Sequence, residues 1–321
     1  MPNAKSNTDQ DSRMGPWIVL IMLAMLAVPA SLTLLTVKSP ATLQILAADP
    51  TPRGYTWSLL LFVIPVVVIV FWFFPQEGVQ VPRRAFWRTI GILVPLGFAL
   101  DFFFATWFFI FPNAGATLGI HLPVLGGSVP VEEYLFYLTG FLAVLLIYVW
   151  LDEYWLAAYN VPDYSKRAKQ IPRLLQFHPI SLVAGIAAIV AAIIFKKFIS
   201  HHPEGYPNYF IILVAGGLVP AVALYPSVRD FINWRALSLT LFLIALISLV
   251  WEATLAVPYG WWGYHPEQMM GIFIGGWSRL PIEAVFVWLA VTYGTVIMFE
   301  SVKLWQASGQ SLRRAFLGMA N

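Results

Sequence analysis

The chain has 321 residues, of which 59% are hydrophobic and only 11% are charged, and it contains no cysteine. Soluble domains carry about one quarter charged residues, so this composition excludes an ordinary soluble globule and indicates an integral membrane protein. The absence of cysteine excludes disulfides and thiolate metal sites. The net charge of +3 comes from basic residues near the ends of apolar segments, which indicates membrane topology rather than a nucleic-acid surface.

Eight apolar stretches are long enough to cross a hydrocarbon core of about 30 Å, which takes roughly 20 helical residues. In chain order they cover residues 16–37, 56–74, 86–111, 129–151, 179–199, 208–228, 235–257 and 279–300. The first is too long for the apolar part of a signal peptide, and no small-residue cleavage site follows it, so we expect it to be a span. The expected fold is an all-α integral membrane protein of about eight transmembrane helices.

The two halves of the chain resemble each other at an offset of 151 residues. The matched positions are Arg84 with Arg235, Ala85 with Ala236, Thr89 with Thr240, Asp101 with Glu252, Pro130 with Pro281, and Glu132 with Glu283. An even number of spans in each copy predicts a four-plus-four parallel repeat. We expect repeats at 16–151 and 179–300, a linker at 152–178, a disordered N-terminal segment at 1–15 and a C-terminal segment at 301–321.

Basic residues predict the orientation of the spans. With a cytoplasmic N-terminus, 14 of the 19 lysines and arginines fall on the cytoplasmic side, among them Arg83, Arg84 and the cluster at 166–173. This distribution follows the positive-inside rule. It predicts an inner (cell) membrane protein with both termini in the cytoplasm.

Acidic residues within or at the ends of the apolar stretches are the main candidates for chemistry. Asp101 and Glu252 lie inside spans, where a carboxylate costs roughly 2.5–3.5 kcal/mol, so both should face the bundle interior. Glu132, its neighbour Glu133, and Glu283 follow a proline at a helix start, where a carboxylate also acts as a simple cap. Paired acids whose proton affinities differ can act as donor and acceptor, so all five are predicted catalytic residues.

Aromatic residues surround both acid pairs, and their faces can stabilise a cation. Most of them are expected to serve in packing or in interfacial belts. The predicted substrate-binding residues are Phe104, Trp107, Phe136, Trp261 and Phe286. The five histidines form no metal-ligand pattern and no dinucleotide-binding motif is present, so neither a metal nor a cofactor is predicted.

At Pro130, Glu132, Glu133 and Phe136, and again at Pro281, Glu283 and Phe286, the chain resembles the membrane-integral lycopene cyclase family in its fused two-subunit form. One departure is Ala284, which stands where the first copy has Glu133. The resemblance implies redox-neutral acid/base cyclisation of lycopene end groups to β-ionone rings, giving γ- or β-carotene without a flavin. It also implies a carotenoid substrate that enters from the lipid bilayer, and association with other carotenoid-pathway enzymes.

Two other functions remain open from the sequence. In a proton-coupled transporter with parallel repeats, the same carboxylates would form a proton relay. In a non-enzymatic carotenoid-binding protein, loss of the acids would be tolerated.

Overall fold

The computed structural model describes residues 51–76, 81–161, 164–171 and 173–318, with scattered positions between 15 and 28. The predicted N-terminal segment 1–15 therefore lies outside the described residues except for Gly15, and the predicted first span 16–37 lies mostly outside them. The described chain is mostly helical. Within it, five helices are long and apolar enough to cross a membrane: Arg83–Phe108, Val131–Trp155, Pro179–Ile199, Trp234–Ala256 and Glu283–Ser308. The predicted mostly helical fold, with apolar helices long enough to cross a membrane, is confirmed at this level.

The helices are labelled here in chain order. They are α1 (Gly54–Val68), α2 (Arg83–Phe108), α3 (Val131–Trp150), α4 (Tyr164–Ala168), α5 (Pro179–Ile194), α6 (Asn208–Ala223), α7 (Tyr225–Val228), α8 (Trp234–Trp251), α9 (Glu283–Ser308) and α10 (Leu312–Leu317). Four of them continue into a π-helical turn: α1 at Ile69–Phe73, α3 at Leu151–Trp155, α5 at Phe195–Ile199 and α8 at Glu252–Ala256. Helices α1 and α6 are apolar but shorter than the five candidate spans.

Helix α9 lies at the centre of the bundle and packs against α2, α3, α6 and α8. Helix α3 in turn packs against α1, α2 and α8. The largest hydrophobic core cluster runs between these helices and includes Tyr148, Leu237, Ile297 and Phe299. Helix α5 packs mainly on α6 and has the least buried apolar face of the five long helices.

Six short strands lie in the two loops at one end of the bundle, called the strand end here. They are β1 (Phe109–Ile110), β2 (His121–Val124), β3 (Gly127–Pro130), β4 (Gly263–Tyr264), β5 (Phe273–Ile274) and β6 (Leu280–Pro281). All three pairings are antiparallel: β1 with β4, β2 with β3, and β5 with β6. The β1–β4 pair places Phe109 opposite Tyr264, which joins the loop of the first half to the loop of the second.

Several helix ends differ from the predicted spans. Helix α2 ends at Phe108 because the next two residues pair with β4, whereas the predicted span continued to 111. Helix α9 continues to Ser308, beyond the predicted end at 300. Charged residues marked the end of the apolar stretch there, but Lys303 pairs with Glu300 and Asp152 inside the bundle, so the helix goes on. The predicted span 179–199 matches Pro179–Ile199.

Candidate functional site

A small internal chamber lies at the strand end of the bundle, with a volume of about 50 Å³. Two carboxyl groups line it: Glu133 from the first turn of α3 and Glu252 from the π-helical turn after α8. The other walls are mostly aromatic and include Tyr55, Phe109, Phe136, Tyr137, Tyr209, Trp262, Tyr264 and Trp288. We call this space the acid chamber.

Glu252 is held in the acid chamber by hydrogen bonds to both of its carboxyl oxygens. The Tyr264 hydroxyl donates to Oε2 at 2.6 Å, and the Trp288 indole Nε1 donates to Oε1 at 2.9 Å. Burial, and then the neighbouring Glu252, raise the pKa of the Tyr264 phenol well above its ordinary value, so this hydroxyl keeps its proton and remains a donor. The two donors orient Glu252 and make it suited to receive a proton from a bound molecule.

Glu133 accepts a hydrogen bond through Oε1 from the hydroxyl of Tyr55 at 2.5 Å. Tyr55 is the second residue of α1 and is fully buried, with its ring 5.0 Å from Trp262 and 6.2 Å from Trp261. Glu133 also interacts electrostatically with Asp101 and with Glu252 across the chamber. A buried carboxyl group surrounded by other acids is suited to hold the proton of the group.

Asp101 is buried on α2 but does not line the acid chamber. Within the described part of the chain, neither of its carboxyl oxygens has a hydrogen-bond partner. It interacts electrostatically with Glu133 and with Tyr137. Tyr137 matches Trp288 at the repeat offset of 151 residues. Asp101 therefore lies outside the chamber and interacts electrostatically with residues that line it, which also include Tyr55 and Tyr209.

Glu132 and Glu283 hold the loops of the strand end. Oε1 of Glu132 accepts hydrogen bonds from the backbone N–H of Leu118 at 2.8 Å and from the Thr56 hydroxyl at 2.5 Å. Oε1 of Glu283 accepts from the backbone N–H of Met270 at 2.5 Å. Both side chains are fully buried, and neither lines the acid chamber. The geometry assigns them to anchoring the loops that close the chamber.

The five predicted substrate-binding aromatic residues take different places. Phe136 lines the acid chamber, whereas Trp261 stacks behind it on Tyr55 and donates through Nε1 to the Thr51 hydroxyl at 2.9 Å. Phe104, Trp107 and Phe286 do not line the chamber. Trp107 is 54% exposed on the outside of α2, and Phe286 packs edge-on against Phe210.

A second, apolar cavity of about 290 Å³ adjoins the acid chamber between α1, α3 and α8. The two spaces share Phe136, Gly140 and Trp288 as lining residues. The walls of the apolar cavity are almost wholly hydrocarbon, and at its rim Leu61 is 72% and Ile247 is 44% exposed. The apolar cavity thus leads from the side of the bundle to the acid chamber.

Several residues of the acid chamber were not identified from the sequence, among them Tyr55, Phe109, Tyr209 and Trp288. The offset of 151 pairs Tyr55 with Tyr206, which is exposed, so it gives no signal for Tyr209. The position within the helix would have identified Tyr209, because Tyr55 is the second residue of α1 and Tyr209 is the second residue of α6.

Comparison of the chain with protein-family models, with curated proteins and with solved structures gives no match in any of the three. Among the described residues, no three His, Asp or Glu side chains come together in a group that could hold a metal ion. What the acid chamber offers chemically is one carboxyl suited to give a proton, a second suited to take one, and aromatic faces between them.

Proposed function

We propose that this protein is a membrane-embedded acid/base isomerase that acts on an apolar polyene. More specifically, we propose that it is a lycopene β-cyclase, which converts the linear end groups of lycopene to β-ionone rings and so yields γ- or β-carotene. The observation that carries the proposal is that Glu133 and Glu252, from helices of different halves, line one aromatic chamber next to an apolar cavity. No redox change is needed, so we expect no cofactor.

The proposed reaction conserves protons and electrons. Glu133 gives its carboxyl proton to the terminal double bond, which leaves a tertiary carbocation. The internal double bond of the end group attacks this cation, and the new carbon–carbon bond closes the ring. Glu252 then removes a ring proton, and the electrons of that C–H bond form the ring double bond. At the end Glu133 has lost one proton and Glu252 has gained one.

Aromatic rings give this route its electrostatic support. The Phe136 ring lies 5.5 Å from that of Trp288 and 6.0 Å from that of Trp262, and all three residues line the chamber. Ring faces attract positive charge without acting as nucleophiles, so they stabilise a carbocation without capturing it. The hydrocarbon walls also keep bulk water, which would capture the cation, out of the route.

Substrate access is proposed to run through the apolar cavity. Its exposed rim faces the outside of the bundle, where a carotenoid dissolved in the bilayer can enter sideways. The acid chamber has room for roughly three to five water molecules. A branched carotenoid end group is larger than this, so Phe136, which lines both spaces, must turn aside when the substrate binds.

The finer architecture proposed is a parallel four-plus-four repeat of eight spans with both termini in the cytoplasm. Matching local bonds support the repeat: Thr89 donates to Ala85 O at 2.9 Å, and Thr240 donates to Ala236 O at 2.8 Å. The loop anchors made by Glu132 and Glu283 match to within one residue, because their donors, Leu118 N and Met270 N, lie 152 positions apart. In this orientation the strand end and the acid chamber lie toward the extracytoplasmic side.

Expression in a host that accumulates lycopene, followed by chromatography of the pigments, tests the proposal. We expect the wild-type chain to yield cyclised carotenoids. Glu133→Gln and Glu252→Gln should each lower the rate by about 10²–10⁴-fold. The matched control is Glu267→Gln, which changes a half-exposed acid in the strand-end loops.

Unchanged lycopene in cells with normal membrane abundance of the wild-type chain would refute the proposal. Lycopene that co-purifies unconverted with the protein would favour the carotenoid-binding alternative. Full activity of both glutamine variants would remove Glu133 and Glu252 from the chemistry.

A further inference from the structure

Tyr209 lines the acid chamber, and its ring packs between aromatic neighbours. It is the second residue of α6, and its ring centroid is 4.9 Å from that of Phe108, 5.3 Å from that of Phe109 and 6.4 Å from that of Tyr264. The side chain is buried and lines the chamber together with Glu133 and Glu252. Packing therefore fixes the position of the ring, but it does not account for the presence of the hydroxyl group.

The corresponding tyrosine of the first half has a carboxyl partner that Tyr209 lacks. Tyr55, the second residue of α1, donates to Glu133. The position 151 residues after Glu133 is Ala284, so α9 offers no equivalent acceptor to Tyr209. Within the described ranges, no group forms a hydrogen bond with the Tyr209 hydroxyl. This hydroxyl is thus free to exchange hydrogen bonds inside the chamber.

The acidic residues that interact electrostatically with Tyr209 belong to both halves. Its hydroxyl interacts electrostatically with Glu252 most strongly, and then with Glu283, Glu133 and Asp101. By contrast, Tyr55 interacts with acids of the first half only, and Tyr264 with Glu252. Tyr209 also lines the same chamber of about 50 Å³ as Glu133 and Glu252, so its hydroxyl shares one small space with both carboxyl groups.

After the proposed cyclisation, one proton remains on the carboxyl group that must act as the base in the next turnover. After each ring closure Glu252 carries the proton and Glu133 lacks it, so a second turnover requires the proton to return across the chamber. We infer that the Tyr209 hydroxyl carries out this return. This inference rests on the proposed cyclase function.

The return is a concerted double transfer, for which the Tyr209 hydroxyl must first come within hydrogen-bonding distance of both carboxyl groups. The O–H bond of Glu252 breaks and its proton adds to the Tyr209 oxygen, while the original O–H bond of Tyr209 breaks and that proton adds to the Glu133 carboxylate. Tyrosine is neutral before and after, Glu133 is again the acid, and Glu252 is again the base. Rotation of the hydroxyl about its C–O bond then restores the starting hydrogen position.

Two kinetic regimes in liposomes test the inference. With protein in excess over lycopene end groups, each molecule needs to act once, so Tyr209→Phe should slow ring formation far less than it does with lycopene in excess. With lycopene in excess, the variant should turn over about 10²-fold more slowly, since its proton must return through the surrounding water. Tyr206→Phe, three residues earlier and exposed, is the matched control and should equal the wild type in both regimes.

Each outcome bears on the inference. Equal rates of Tyr209→Phe and wild type with excess lycopene would overturn it, as would an equal slowing in both regimes, which would mean a role in ring closure or packing. A wild-type chain that forms no rings would refute the cyclase proposal itself and the inference with it. If Tyr209→Phe fails to accumulate, 3-fluorotyrosine at this position keeps the hydroxyl. It should then alter only the rate with excess lycopene.

Discussion

Glu133 and Glu252 line the same chamber although 119 residues separate them in the chain. Glu133 opens α3 in the first half, and Glu252 begins the π-helical turn that ends α8 in the second. Their convergence means that neither half builds the acid chamber alone. The two halves therefore share a single site.

The first prediction concerns Tyr264, which donates to Glu252. Tyr264→Phe removes this donor while keeping the ring, and hydrogen bonds to charged groups contribute about 1.5–3 kcal/mol. We expect cyclisation to slow by roughly 10- to 100-fold, with membrane abundance unchanged, as measured by pigment formation in cells. Activity equal to that of Tyr206→Phe would show that this hydrogen bond plays no part in catalysis.

The second prediction separates loop anchoring from chemistry at Glu132. An amide oxygen can still accept from the Leu118 N–H, so Glu132→Gln should keep most of the activity. Glu132→Ala leaves that donor without its acceptor and should lower the free energy of unfolding by about 1 kcal/mol. Thermal unfolding in detergent and pigment analysis measure the two effects.

Glu283 should behave like Glu132, because it accepts from Met270 N in the same manner. If instead Glu132→Gln or Glu283→Gln abolishes cyclisation in a normally folded protein, these residues belong to the catalytic machinery as the sequence pattern predicts.

The third prediction addresses the passage between the apolar cavity and the acid chamber. A Cβ on Gly140 would lie 3.6 Å from the Trp288 ring, which is ordinary van der Waals contact. Gly140→Ala should therefore be tolerated, whereas Gly140→Phe should fill the passage and leave lycopene uncyclised. Comparable pigment profiles from both variants, at equal membrane abundance, would mean that the substrate enters by another route.

The fourth prediction concerns an ionic cluster far from the chamber. Lys303 Nζ lies 3.1 Å from Glu300 Oε1 and 3.5 Å from Asp152 Oδ2, and the Tyr148 hydroxyl also donates to Glu300 at 3.1 Å. Removing one partner of a buried ion pair costs about 3–5 kcal/mol, so Lys303→Met should markedly lower the unfolding temperature. Lys303→Met combined with Glu300→Gln should recover part of the loss. No change in the single variant would show that the cluster does not hold α3 to α9.

Hydrophobicity predicted the long helices because bilayer thickness and apolar length are directly related. The span predicted at 179–199 matches its helix, and the spans predicted at 86–111 and 129–151 fall within a few residues of theirs. Where the ends were wrong, tertiary contacts decided them: β-pairing ends α2 early, and the charge cluster around Lys303 extends α9. Contacts of this kind leave no mark in local hydropathy.

The acids of the site could be predicted from the sequence, but their individual positions could not. Glu132 and Glu133 are adjacent, and neighbouring residues on a helix point about 100° apart, so only one of them can face the chamber. Which one does so depends on how α3 packs against α1, where Tyr55 meets Glu133. Tyr209 could not be predicted from the repeat either. Helices α1 and α6 start at Gly54 and Asn208, which gives an offset of 154 rather than 151.

The most direct test of the central claim uses the purified protein in liposomes that contain lycopene, without flavin or nicotinamide. We expect a cyclic product with the same mass as lycopene, and its formation should be nearly abolished by either Glu133→Gln or Glu252→Gln but not by Glu267→Gln. The absence of ring product from the wild-type protein, or ring formation at the wild-type rate by both chamber variants, would contradict it.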